Sequence, residues 1–205
     1  MTPSPRSFFP VLITLAVAAA VTAGAVYATT APRGWHLAGS NPRDYQTGID
    51  DVQFDGHRVA YLKATATTPK GFVTLMQRFR ADDYLGRKVR FTAMLKPQDV
   101  ANWAGLWMRV DKGERPFATP RMLAFDNMHD RPVTGTQDWK KYEVTLGVPE
   151  DASAIYFGVL LNGSGNISVT EPKIEIVGFD GQPGVKPTSA ARPVPFAPTN
   201  LDFEP

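Results

Sequence analysis

Within the stretch from Ala104 to Asp111, an indole and a guanidinium stand two residues apart, at Trp107 and Arg109. In a β-strand that spacing puts both side chains on one face, and it puts Ala104, Leu106, Met108 and Val110 on the other. An indole can stack on the apolar face of a sugar or similar ring, and a guanidinium donates planar hydrogen bonds to hydroxyl or carboxylate oxygens. The pairing suits recognition of a ligand. Arg78, Asp126, Asn127, Tyr156 and Asn162 stand on or beside other expected strands, and they join the same surface if the sheet brings those strands alongside. The alternative is that Trp107 caps a small core with Arg109 stacked over it, a cation–π pair that touches no ligand. Residue type alone leaves both open.

Nothing comparable supports catalysis. The three histidines, His36, His57 and His129, fall in expected turns and loops and show no metal-ligand spacing. No serine sits in a nucleophile-elbow pattern and no glycine-rich phosphate loop opens a helix. The carboxylate pairs Asp50-Asp51, Asp82-Asp83 and Glu150-Asp151 are sequence neighbours in loops, whereas glycoside hydrolysis needs two acids facing each other across a bond. With no cysteine, disulfides, thiolate chemistry and cysteine-held zinc or iron–sulfur sites are excluded. There is no regular acidic loop for calcium. No catalytic residue, cofactor or metal ligand is assigned.

The formal net charge is only +2 and acids and bases are interspersed, so no basic stripe is available to neutralise phosphates. Nucleic acid is not an expected partner. At the amino terminus Arg6 precedes an apolar run from Phe8 to Val21 and then small residues from Thr22 to Ala28. That is the pattern of an export signal, and residues 1–33 are assigned to a signal peptide or membrane anchor. The run from Val11 to Ala28 is near the lower length for crossing a bilayer, so an uncleaved anchor with Arg6 in the cytoplasm is the competing reading. Either way the expected location is exported: periplasmic, secreted or anchored at the inner membrane, with the membrane touched only through an uncut amino-terminal segment.

Beyond Gly34 the chain shows short alternating segments with turn chemistry between them and no sustained helical period. Asp55-Gly56 is a tight turn leading to a strand over Val59 to Lys63. Thr68-Pro69-Lys70-Gly71 turns the chain into a strand over Phe72 to Phe79. Lys88 to Lys96 alternates, with Val89, Phe91, Ala93 and Leu95 inward, and Tyr142, Val144 and Leu146 repeat the pattern. Ala154 to Leu161 is apolar on both parities, as a central strand is. Asn162-Gly163-Ser164-Gly165 turns into Ile167 to Val177, where Pro172 marks a bulge or an edge. Together these predict an all-β fold, an antiparallel two-sheet β-sandwich over residues 34–178. Residues 179–205 form a Pro-rich tail that regains apolar character at Asn200-Leu201-Asp202-Phe203-Glu204, which reads either as a dangling tail or as a docked terminal strand.

Four segments carry a resemblance: Gly34 to Pro42, Ala104 to Asp111, Phe125-Asp126-Asn127-Met128 and Gly135-Thr136-Gln137-Asp138-Trp139. Through them the chain resembles a bacterial domain that occurs alone or appended to AraC-type transcriptional regulators. The resemblance spans roughly Gly34 to Val177, and it implies a jelly-roll sandwich similar to galactose-binding-like and carbohydrate-binding modules. The chain lacks the helix-turn-helix pattern of those regulators, which argues against a direct role in transcription. In many such modules a first strand resembling Asn200 to Glu204 precedes the Gly-Trp pair. The resemblance therefore implies a permuted module in which Leu201 and Phe203 return to fill the missing strand position. The expected function is a non-catalytic exported binding module for a carbohydrate or cell-envelope component, with a structural or protein-interaction domain of the envelope as the alternative.

Overall fold

The computed structural model describes residues 31–113, 121–179 and 195–205. The segment expected to be an export signal or anchor lies, up to residue 30, outside the described residues, as does the Pro-rich stretch 180–194. Eleven strands are present among them: β1 His36–Gly39, β2 Tyr45–Ile49, β3 Ala60–Ala64, β4 Phe72–Arg80, β5 Arg87–Gln98, β6 Val100–Lys112, β7 Arg121–Asp126, β8 Val133–Gly135, β9 Lys140–Val148, β10 Ala154–Asn162 and β11 Asn166–Phe179. They form two antiparallel sheets. Sheet one has the order β1-β4-β10-β6-β7, with β8 also on β6, and sheet two the order β2-β3-β11-β5-β9. Among the described residues no helix is long and apolar enough to cross a membrane.

Alternation decides which residues meet between the sheets. Val73, Leu75 and Phe79 of β4, Ile155, Phe157, Val159 and Leu161 of β10, and Ala104, Leu106, Met108 and Val110 of β6 are all buried on the inner face of sheet one. From sheet two Leu62, Val89, Phe91, Ala93, Leu95, Val144 and Ile167 meet them. The rings of Phe157 and Phe91 touch edge to face across the gap, with centroids 5.0 Å apart, and Phe79 and Trp35 pack on Phe157 at 5.7 and 5.5 Å.

Turn chemistry sets the registers. Asp55 and Gly56 both have positive φ, 48° and 80°, which closes the Phe54–His57 bridge as a tight hairpin. Pro172 sits in a central strand, and the ladder between β11 and β5 shifts register between Thr170 and Lys173 around Glu171 at φ 51°. A bulge tolerates the missing N–H there.

The terminal segment departs from the expected strand. Residues 200–204 form a turn, with positive φ at Asn200 and Phe203, and pair with no strand. The Asn200 side chain explains the difference: Glu204 N donates to its Oδ1 at 2.6 Å, and its Nδ2 donates to the carbonyls of Glu204 and Arg33. Asparagine closing its own backbone in this way competes with a ladder. The turn nonetheless docks. Phe203 is wholly buried against Trp35, whose Nε1 donates to Asn200 O at 3.0 Å. Gln77, on the inner face of β4, satisfies both halves of its amide on the backbone of Thr199, and Arg80 N donates to Pro195 O at 2.8 Å.

Candidate functional site

The outward residues of sheet one line a cleft of about 510 Å³, within the size range of small-ligand sites. Its walls come from five strands, because the antiparallel register lines outward side chains up in rows across the sheet. One row holds Arg78, Tyr156, Arg109 and Phe125 on β4, β10, β6 and β7. The next holds Met76, Gly158 and Trp107, and a third holds Thr74, Leu160 and Gly105. Phe72, Asn162 and Trp103 close the end.

Trp107 forms the floor. Its Nε1 donates to Thr74 Oγ1 at 2.6 Å, although β6 and β4 are separated by β10. Two strand spacings amount to about 9.6 Å, so the indole reaches Thr74 only by lying along the sheet. Gly158, paired with Trp107 on one side and Met76 on the other, brings no side chain into the row from which the indole sets out. Thr74 Oγ1 passes its own proton to Val159 O at 2.9 Å, which fixes the acceptor orientation. The ring is 8% exposed, a recessed floor and not the projecting platform that alternation alone suggests.

Arg109 stacks elsewhere than on the indole. Its guanidinium carbon lies 4.7 Å from the Tyr156 ring centroid, and Arg78 approaches the same ring at 5.3 Å. Both contacts follow from register, since Tyr156 is paired to Arg78 on one side and Arg109 on the other. Arg109 Nη2 donates to Asp111 Oδ2 at 2.8 Å, and Asp111 is buried beneath it. This salt bridge anchors the guanidinium.

Asn127 enters on a loop that crosses the sheet closely. A Cβ on Gly105 would meet Met128 Cβ at 3.2 Å and Asn127 O at 3.6 Å, so glycine is what lets the loop pass. Met128 then fills the gap between β7 and β8 along β6, where Leu106 N donates to its Sδ at 3.3 Å. Asp126 turns away from the cleft, taking Arg131 Nη2 at 2.6 Å and the amide of Met128 at 2.8 Å.

Of the seven residues singled out in the sequence, Trp107, Arg109, Asn127, Tyr156 and Asn162 line one cleft. Arg78 stands one step outside it, behind Tyr156, and Asp126 serves its own loop. Trp103, Phe72, Phe125 and Leu160 are lining residues the sequence reading missed. Trp103 shares the parity of Trp107 and Arg109 in β6, a usable signal, whereas Phe72 and Phe125 are brought in by pairing alone. His36, His57 and His129 build no metal centre: among the described residues no group of three potential ligands converges.

Comparison with known proteins places this geometry. No family model matches the chain. It is 39% identical over 176 residues to the uncharacterized HTH-type transcriptional regulator YbfP of Bacillus subtilis (strain 168), a match over 84% of this chain. The chain spans 57% of the length of that curated relative. Among solved structures, the CBM22-1 and GH10 modules of Clostridium thermocellum endo-1,4-beta-D-xylanase 10B, complexed with xylohexaose, superpose with a TM-score of 0.50 at 11% identity, over 80% of this chain and 28% of that one. The C-terminal family 22 carbohydrate binding module of Clostridium thermocellum Xyn10B gives 0.49 at 13% identity, over 72% and 87%. The xylanase superposition shows a shared fold, the β-sandwich of such modules.

Proposed function

We propose that this chain is a non-catalytic binding module whose cleft on sheet one takes a carbohydrate or another cell-envelope component. The observation that carries the reading is the indole of Trp107 laid flat as the floor of a cleft walled by Trp103, Phe125 and Phe72 and edged by the side-chain amides of Asn127 and Asn162. Aromatic faces match the C–H faces of a sugar ring, and amides and a guanidinium match its oxygens. The described lining residues include no Asp, Glu or His to act as acid or base, which supports binding without reaction. The xylanase modules of shared fold were solved with a bound oligosaccharide, which supports the same class of ligand. In the regulator relative, we take the matched part to be the portion that receives a ligand. We further take the sandwich as a jelly roll and the amino-terminal run as an export signal or anchor, giving an exported protein whose contact with a membrane is through that run.

Glycan-array screening followed by calorimetry on wild type and Trp107→Ala tests this. Loss of a flat aromatic floor weakens binding by about 30-fold or more, the scale of a central aromatic anchor. Because Trp107 is buried, Asn127→Ala accompanies it as a milder change, expected to weaken binding about fivefold through one lost hydrogen bond. Unaltered affinity in both variants removes the cleft from the function. A second reading, a protein-interaction domain of the envelope, is favoured by one feature: Met122 and Phe125 on β7 are 57% and 47% exposed, an apolar patch at the cleft's edge. Site-directed crosslinking from Met122 in envelope fractions distinguishes a protein partner from a glycan.

A further inference from the structure

The polar groups around the cleft are unbalanced in their chemistry. Asn127 Oδ1 already accepts from His129 N at 3.2 Å, and Asn162 Oδ1 accepts from Asn102 Nδ2 at 3.0 Å. In both residues the amide oxygen is engaged by the protein and the NH₂ group is left over. Thr74 Oγ1 is engaged twice, accepting from Trp107 and donating to Val159. Arg109 commits Nη2 to Asp111 and has further N–H groups, being 37% exposed in the side chain. What the described residues leave for a ligand is therefore weighted toward donors, the acceptors being the second lone pair of each amide oxygen and the Tyr156 hydroxyl, which acts in both directions.

A neutral sugar hydroxyl is both donor and acceptor, and it bonds best where the wall supplies both. A donor-rich wall containing a guanidinium instead matches a group with several lone pairs and no proton to give, and a carboxylate meets that description. Among the described residues no carboxylate lines the cleft to repel one, and Asp111 is buried beside the guanidinium it holds. We propose that the cleft selects saccharides bearing a carboxylate, with Arg109 and the NH₂ groups of Asn127 and Asn162 as the selective donors. This inference rests on the carbohydrate-binding reading above.

The test uses the full chain and matched glycan pairs: fragments of polygalacturonate, alginate and glucuronoxylan, each beside its carboxyl-reduced form, which keeps the ring and removes the charge. Sulfated galacto-oligosaccharides form a further arm. Calorimetric titration at low salt should show at least one acid member binding about tenfold or more tightly than its reduced partner. The advantage should shrink as salt is raised, since the site opens to solvent. Asn162→Asp keeps the acceptor for Asn102 and replaces the free NH₂ by a carboxylate oxygen, so it should weaken the acid member about tenfold and leave the reduced member within about threefold. Arg109→Lys keeps the cation over Asp111 but removes the planar fork, and should lower acid affinity with the fold intact.

Equal binding of acid and reduced members overturns the inference and leaves the carbohydrate reading standing, as does binding confined to neutral glycans outside the pairs. Binding of sulfated but not carboxylated glycans overturns the choice of carboxylate. No binding to any glycan on the array overturns both readings.

Discussion

The two outer faces of the sandwich are built by the same alternation and end as opposite surfaces. On sheet two the outward residues of β5, β9 and β11 include Lys88, Arg90, Lys141, Glu143, Lys173 and Glu175, several of which pair: Arg90 lies 3.8 Å from Glu143 and 3.9 Å from Glu175, and Lys173 2.7 Å from Glu175. On sheet one the outward rows mix aromatic and amide side chains with Thr74, Met76, Leu160 and two arginines stacked on Tyr156, and Trp107 lies along the sheet to reach Thr74. The charges of the sheet-two face are largely spent on one another. A face that keeps donors unspent and carries a recessed ring is shaped for something that comes from outside.

The layer both faces share is the first place to break this contrast. Phe203 is completely buried between Trp35 and the core, so Phe203→Ala should destabilise the fold by about 3–5 kcal/mol, read as a lower denaturant midpoint with unchanged slope. Cleft binding, measured well below the new transition, should survive. If Phe203→Ala instead leaves stability unchanged, the docked turn contributes nothing and the segment's burial is incidental.

Two glycines sharpen the contrast next. A Cβ on Gly158 would sit 2.2 Å from Leu75 O and 2.9 Å from Met76 Cα, backbone that cannot move without parting β10 from β4. Gly158→Ala should cost roughly 2–4 kcal/mol and disturb the strand row that holds Trp107, reducing the Trp107 contribution to ligand-induced fluorescence. On sheet two a Cβ on Gly178 meets Lys88 Cβ at 3.9 Å, an ordinary contact, so Gly178→Ala should change stability by no more than about 0.5 kcal/mol. Similar losses at both positions would mean that the close strand approach beneath Trp107 is not specific to the cleft.

These two positions also show what sequence could and could not say. The alternation from Ala104 to Val110 was legible because its period is local, and it placed Trp107 and Arg109 outward together. Gly158 was not legible, because its meaning depends on lying opposite both Met76 and Trp107 on strands far apart in the chain. Register is a nonlocal quantity, and it alone brings Phe72 and Phe125 to the cleft and gives Tyr156 to two guanidiniums. Strands β1 and β2 escaped detection for a different reason: HLAG and YQTGI are too short and too polar to show a period. At the carboxyl end the apolar return at Leu201 and Phe203 is legible, whereas the turn that Asn200 closes on its own side chain depends on bonds to Glu204 and Arg33 that a local apolar pattern does not reveal.

The smallest expected effect tests whether the solvated face is passive. Arg90 makes only long contacts, at 3.8 and 3.9 Å, to two carboxylates that are themselves partly exposed, and water and salt screen both. Such pairs contribute about 0–1 kcal/mol because ordering the long side chains offsets the weak attraction. Glu175 also retains Lys173 at 2.7 Å, so removing Arg90 does not leave that acid unpaired. Arg90→Ala should therefore shift the denaturant midpoint by no more than about 1 kcal/mol, and less at high salt. Glycan affinity should be unchanged, since core and sheet one lie between Arg90 and the cleft. A change in affinity from this substitution would show that the charged face takes part in binding, and the division of labour between the two sheets would have to be abandoned.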